Sequence, residues 1–195
     1  MKFWSASAGN ELGELWLDAR VLREMQGSSR LEQKVAEIFE LLRDPIYRHI
    51  CRLIGKRAEA EDLTQETFLR LYDSLQKGQA MGNVRPWLYR VAHNLAIDCL
   101  RQQGRLEQIE DDALPLAAII DAAPSAEQRL LASERHQRLR GLLAQLSPQQ
   151  RHCLFLRAEG LNYREIGEVL GISISSVATF LGRAVKHLAE EVNEQ

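Results

Sequence analysis

The chain has 195 residues, 45% hydrophobic and 27% charged, with a formal net charge of -2. That balance suits a soluble globular protein of one domain or two small ones, and it excludes low-complexity and strongly basic chains. No apolar run approaches membrane-span length, and the opening MKFWSASAGN lacks the apolar core of a secretory leader, so a cytoplasmic protein without membrane insertion is expected.

Every periodic segment reads as helix. Residues 11–25 place Leu12, Leu15, Trp16, Ala19 and Leu22 at helical spacing, which predicts a short helix packed on its own domain. Residues 31–54 carry Leu31, Val35, Ile38, Phe39 and Leu42, then Ile46, Ile50, Leu53 and Ile54. Pro45 between the two groups predicts a break or kink, and Gly55 ends the run. Ala58 to Leu75 forms an amphipathic helix with the stripe Leu63, Phe68, Leu71, Tyr72 and Leu75, and Gly78 and Gly82 mark the loop after it. Arg85 to Arg101 follows. Pro86 stands near its first turn, Leu88, Val91, Leu95 and Leu100 look inward, and Gly104 stops it.

From residue 105 the periodicity fades. Residues 106–127 hold six acids and no Lys or Arg, whereas residues 31–105 and 128–195 each carry a net charge of +2. Pro115, Pro124 and the run Glu110, Asp111, Asp112 mark a linker. Its apolar cluster, Leu114, Leu116, Ile119 and Ile120, predicts that part of it docks on a surface. Helix resumes over 125–143 with Leu130, Leu131, Leu139, Leu142 and Leu143, and no alternating strand is found anywhere. The expected fold is all-α. It has an N-terminal extension (1–30), a first helical domain (31–104), a flexible acidic linker (105–126) and a second helical domain (127–195).

The last fifty residues are the most specific. Ser147 with Pro148 and Gln150 makes a capping box, and Gly160 stops that helix in the left-handed conformation. Asn162 with Glu165 opens a second helix in the same way, with Ile166, Val169 and Leu170 on one face. Gly171 turns the chain, Ser173 can cap, and the last helix is expected to bury Val177, Leu181, Val185 and Leu188. Two short amphipathic helices joined at a Gly turn form a helix-turn-helix, whose second helix enters the DNA major groove. Its outward face carries Ser175, Ser176, Thr179, Arg183 and Lys186, with Arg164 at the start of the preceding helix. The bland alternative is an ordinary bundle of short helices.

Cys51, Cys99 and Cys153 lie far apart, with no CxxC or Cys/His ligand spacing, so no metal or other cofactor is expected and buried free thiols suit a reducing cytosol. His152 beside Cys153 is no ligand pair, because adjacent helical residues do not face each other. No nucleophile elbow or phosphate loop is present, so an enzyme is not expected.

EDLTQETFLRLYDSL, then RPWLYRVAHNLAIDCLRQQ, then an acidic linker, then LSPQQRHCLFLRAEGLNYREIGEVLGIS, in that order and spacing, resembles the extracytoplasmic-function (ECF) sigma factors of the sigma-70 family. The resemblance covers roughly residues 31–190. It implies binding to core RNA polymerase, promoter-specific initiation and an anti-sigma factor as a further partner. Asp62, Gln65 and Glu66 stand where the family grips the large-subunit clamp, and the alternative for them is a solvated charged face. The segment 85–101 matches the minus-ten element. Trp87 and Tyr89 could anchor or stack, Arg90 and Arg101 hold phosphates, and Asn94 captures a flipped-out base. Plain core packing is the alternative for Trp87, and a surface polar residue for Asn94. The helix-turn-helix matches the minus-thirty-five reader, through Arg164, Ser175, Ser176, Thr179, Arg183 and Lys186. It departs from the family in Ala178, Thr179 and Phe180, where Arg and Lys are common. A second reading is a helix-turn-helix transcriptional regulator that does not join polymerase. Such regulators usually follow a receiver with strands ending in carboxylates, and residues 1–104 show no such strands.

Overall fold

The computed structural model describes residues 16–17, 28–79, 81–104, 139 and 141–193. The linker and most of the helix expected over 125–143 lie outside the described residues. Helix α1 runs Ser28–Ile54, α2 Arg57–Gln76 and α3 Val84–Gln102. Residues 141–144 form a helical turn, and α4 Pro148–Ala158, α5 Tyr163–Leu170 and α6 Ile174–Asn193 complete the described helices. The fold is all-α, in two helical domains. No single described helix is long and apolar enough to cross a membrane.

Helix α1 does not break at Pro45, which lies inside it. Proline removes one backbone hydrogen bond. Ile38, Leu42, Ile46 and Ile50, each 0% exposed and four residues apart, hold the helix on α2 and α3 from both sides of that gap. Packing of one face outweighs the local defect. Phe68, Leu71 and Leu75 of α2 and Leu88, Ala92, Ala96 and Leu100 of α3 close the same core. Val91 and Leu95, expected inward, are only half-buried, because α3 turns Tyr89, Ala92 and Ala96 to the centre instead.

The helix expected over 11–25 is not what the described residues there adopt. Trp16–Leu17 is a strand, β1, paired antiparallel with β2, Met81–Asn83, in the register Trp16↔Asn83 and Leu17↔Met81. Gly82 therefore sits in a strand rather than a loop. A two-residue strand has no detectable period of its own and is selected by its partner edge, which is why sequence spacing misses it.

The second domain is punctuated as its sequence demands. Ser147 accepts from the Gln150 amide and Gln150 returns the bond, and Asn162 and Glu165 repeat the arrangement. Ser173 accepts from the Ser176 amide. Gly160 and Gly171 adopt φ of 86° and 67°, the left-handed region where a Cβ is costly. Gly167 serves another purpose. A Cβ there would lie 2.8 Å from the Ile172 carbonyl oxygen, so α5 must be bare at this point for the chain to fold back over it. On α6 the inward residues are Val177, Leu181 and Ala184, while Val185 is 57% exposed. At 100° per residue, position 184 falls 20° from Val177 and position 185 falls 80° away, which corrects the expected stripe.

The two domains are in contact. Helix α3 packs against α5, and one apolar cluster runs from Leu42 and Leu88 through Leu156, Leu161 and Ile166.

Candidate nucleic-acid and polymerase interfaces

Helices α5 and α6 are bent by 105° across the turn 171–173. That angle and turn length belong to a helix-turn-helix. Val177 and Leu181 anchor α6 on its inner side, leaving Ser175, Thr179, Arg183 and Lys186 exposed and Ser176 half-buried. Ser173 Oγ lies 2.8 Å from both Ser175 Oγ and Ser176 Oγ, and Thr179 donates to the Ser175 carbonyl. The hydroxyls are thus engaged with the helix start and with each other. Lys186 pairs at 3.7 Å with Glu190, and Arg164 at 3.3 Å with Glu168, both one turn apart and exposed. Such pairs contribute little and exchange readily for phosphate.

On α2, Asp62 and Gln65 are exposed and Glu66 is half-exposed, paired with Arg70 at 2.8 Å. The stripe of Phe68, Leu71 and Leu75 holds the helix from behind, so these side chains share a free acidic and amide face.

On α3, Asn94, Arg90 and Arg101 are exposed, and Arg101 pairs with Asp98 at 2.6 Å. Trp87 is half-buried against the core and lines a cleft of about 610 Å³. Tyr89 departs from its expected role. It is 0% exposed and packs on His49 with ring centroids 5.4 Å apart, so it is a core residue and cannot stack on a base. Burial, with the Glu159 carboxylate nearby, holds its hydroxyl well above the ordinary phenol range.

The structure also shows polar groups that periodicity does not single out. Glu159, the C-cap of α4, has a side chain only 7% exposed. Its carboxylate accepts from Arg52 at 2.5 Å, Arg48 at 3.4 Å and the Tyr89 hydroxyl at 3.5 Å, and its carbonyl accepts from Arg85. Asn83 caps α3 and donates to Glu165 at 3.0 Å. His49, His93 and His152 form a row, with ring centroids 5.7 and 5.0 Å apart, the last contact crossing between domains. Burial drives all three down, His93 to about 4 and His152 to about 3. Among the described residues, neither ring nitrogen of His49 has a hydrogen-bond partner. Only one signal in the sequence hints at this set: Arg85 and His93 fall on the apolar side of α3, where charge and imidazole are out of place. Cys51 and Cys153 are buried free thiols, while Cys99 is only partly covered and lies 3.8 Å from Glu59.

Comparison with known proteins places these surfaces in a family. Residues 38–106 match Sigma-70 region 2 and residues 136–188 match Sigma-70, region 4. The chain is 36% identical over 150 residues to the ECF RNA polymerase sigma factor SigE of Mycolicibacterium smegmatis, a match covering 75% of this chain and 57% of that one. The chain thus spans little more than half of that relative. It is 30% identical over 160 residues to the ECF RNA polymerase sigma factor SigM of Bacillus subtilis, covering 79% of this chain and 92% of that one. The fold resembles that of the sigma factor RpoE solved with the anti-sigma factor NepR from Bartonella quintana. The TM-score is 0.61 at 22% identity, with 83% of this chain and 98% of that chain covered. The two matched regions, in this order, together with relatives at this identity along most of the chain, assign it: the chain belongs to the extracytoplasmic-function sigma factors of the sigma-70 family.

Proposed function

We propose that the chain binds core RNA polymerase and directs promoter-specific transcription initiation from the cytoplasm, acting as an initiation factor rather than an enzyme. One observation carries this reading. A region 2 match with an exposed acid-and-amide face precedes a region 4 match with helix-turn-helix geometry, so a polymerase grip and a DNA reader are joined in one chain. A regulator that does not join polymerase has no use for the first. In this reading residues 31–104 form the core-binding and minus-ten domain, 105–126 the linker and 127–195 the minus-thirty-five domain. Asp62, Gln65 and Glu66 meet the clamp. Trp87, Arg90, Asn94 and Arg101 handle minus-ten DNA. Arg164, Ser175, Ser176, Thr179, Arg183 and Lys186 handle minus-thirty-five DNA. An anti-sigma factor is a further partner, as it is for the RpoE chain of similar fold.

The direct test adds the purified chain to core RNA polymerase with a pool of genomic promoter fragments. Transcripts with discrete start sites that require the chain are expected. A pool transcribed equally with and without it would refute the assignment.

A further inference from the structure

Strand β1 lies ahead of both matched family regions, which begin at residue 38. It nevertheless pairs with the segment that opens the minus-ten helix, because β2, Met81–Asn83, runs straight into α3 at Val84. Two-stranded pairs are marginal by themselves in water. This one is anchored, since Met81 is 5% exposed and Val84 is 0% exposed in the core of the first domain.

The register is uneven. Trp16 faces Asn83 and Leu17 faces Met81, so two residues of β1 span three of β2 and Gly82 has no partner of its own. That is a β-bulge, one extra residue that bends a strand and re-aims the side chains after it, and glycine suits the bulged position. The side chain just beyond the bulge is Asn83, whose side-chain oxygen accepts from the Arg85 amide and caps α3. Gly82 and Asn83 line the same cleft as Trp87 and Arg90, which follow early in α3. A strand without a partner has neither register nor bulge. The way α3 begins therefore depends on β1.

Resting on the sigma factor reading, we propose that the N-terminal extension is a working part of the minus-ten reader. Backbone pairing of residues 16–17 fixes the bulge at Gly82, the bulge sets the Asn83 cap, and the cap positions Trp87 and Arg90 for DNA. Trp16 and Leu17 act through β2, by their main chain, as positioning residues.

The test uses the full chain carrying Trp16→Pro with Leu17→Pro. Proline has no N–H to give the ladder, so the pairing is lost. Trp16→Val with Leu17→Val keeps both amides and a high strand propensity, and serves as the conservative variant. Hydrogen exchange of the 81–85 backbone should quicken about tenfold in the proline variant, as local opening becomes easier, and keep the parent's rate in the valine variant. With core RNA polymerase, the proline variant should give about tenfold less open complex, the equivalent of one base contact, and should lose discrimination between promoters that differ only in the minus-ten element. Affinity for core polymerase and the salt slope of minus-thirty-five binding should match the parent's, because those surfaces lie on α2 and α6. Unchanged exchange in the proline variant, or an equal defect in the valine variant, would overturn the positioning role. So would faster exchange with parental open-complex yield, or an equal drop on every promoter whatever its minus-ten sequence, which marks a merely structural strand. Absence of promoter-specific transcripts from the unmutated chain would instead remove the sigma factor function, and with it the reading role, whatever the exchange rates show.

Discussion

Single residues decide what each surface can do. Asn94 is exposed on α3, and its amide both donates and accepts, which is what reading an unpaired base edge requires. Asn94→Ala should leave polymerase binding intact and reduce open-complex formation about ten- to a hundredfold, since a single base contact supplies about 1–3 kcal/mol. Permanganate reactivity equal to the parent's at limiting protein would remove Asn94 from that role. Gly167 acts by absence. Its missing Cβ leaves room for the Ile172 carbonyl, which a methyl group would approach to 2.8 Å. Because the clashing atom is backbone, Gly167→Ala should destabilise the helix-turn-helix by about 1–3 kcal/mol, the range for overpacking, visible in urea unfolding. An unchanged midpoint would show that the turn yields freely.

At the scale of elements, α2 and α6 each turn one face to the core and leave another exposed. On α2 the apolar stripe keeps Asp62 and Gln65 outward, so Asp62→Ala with Gln65→Ala opens no cavity. The double variant should weaken association with core polymerase about tenfold at low salt, less at high salt, and leave the thermal midpoint unchanged. A pull-down that retains full affinity would take α2 out of the interface. On α6, Arg183 and Lys186 are the basic groups of the exposed face that Val177, Leu181 and Ala184 leave outward. Neutralising both should weaken promoter binding and flatten its dependence on log salt by about one unit of slope for each phosphate that is no longer neutralised. A parallel salt plot for the double variant would mean that α6 does not lie in the groove.

For the whole molecule the question is how its two halves separate. The histidine row is buried between charged neighbours. Arg52 of α1 acts on His49, Arg151 of α4 acts on His152, and Tyr89 of α3 packs on His49. Burial lowers His93 to about 4 and His152 to about 3, below the ordinary value of 6.5. The closed state therefore binds fewer protons than the open one. Its stability is complete above pH 6.5, where both states carry neutral imidazoles, and declines as the pH falls from 6.5 toward 4. A histidine fully uncovered by opening shifts the balance by about 3 kcal/mol across that span. Interdomain energy transfer should fall over the same interval, and His152→Leu should make the fall shallower. Transfer that is flat between pH 7 and 4.5 would show that the row stays dry in both states.

Much of this protein is written in local chemistry. The caps at Ser147 and Asn162 and the left-handed glycines at 160 and 171 need only near neighbours, since each satisfies backbone groups within one turn. The helix-turn-helix follows from them, and with it the outward set Ser175, Thr179, Arg183 and Lys186. Helical stripes foretold the all-α class and the free face of α2 for the same reason, that a period of 3.6 residues needs no partner to be visible. Other features depended on partners distant in sequence. Pro45 stays helical because α2 and α3 clamp both sides of it, and Trp16 joins a strand because Asn83 offers an edge. Tyr89 is sealed in the core instead of facing DNA because α1 places His49 against it and α4 brings Glu159 alongside. The Glu159 cluster joins positions more than a hundred residues apart, 48 and 52 with 159, on opposite sides of the acidic linker. Charge pairing over such distances leaves no period, cap or motif in the sequence, so only tertiary packing could decide that the two domains meet.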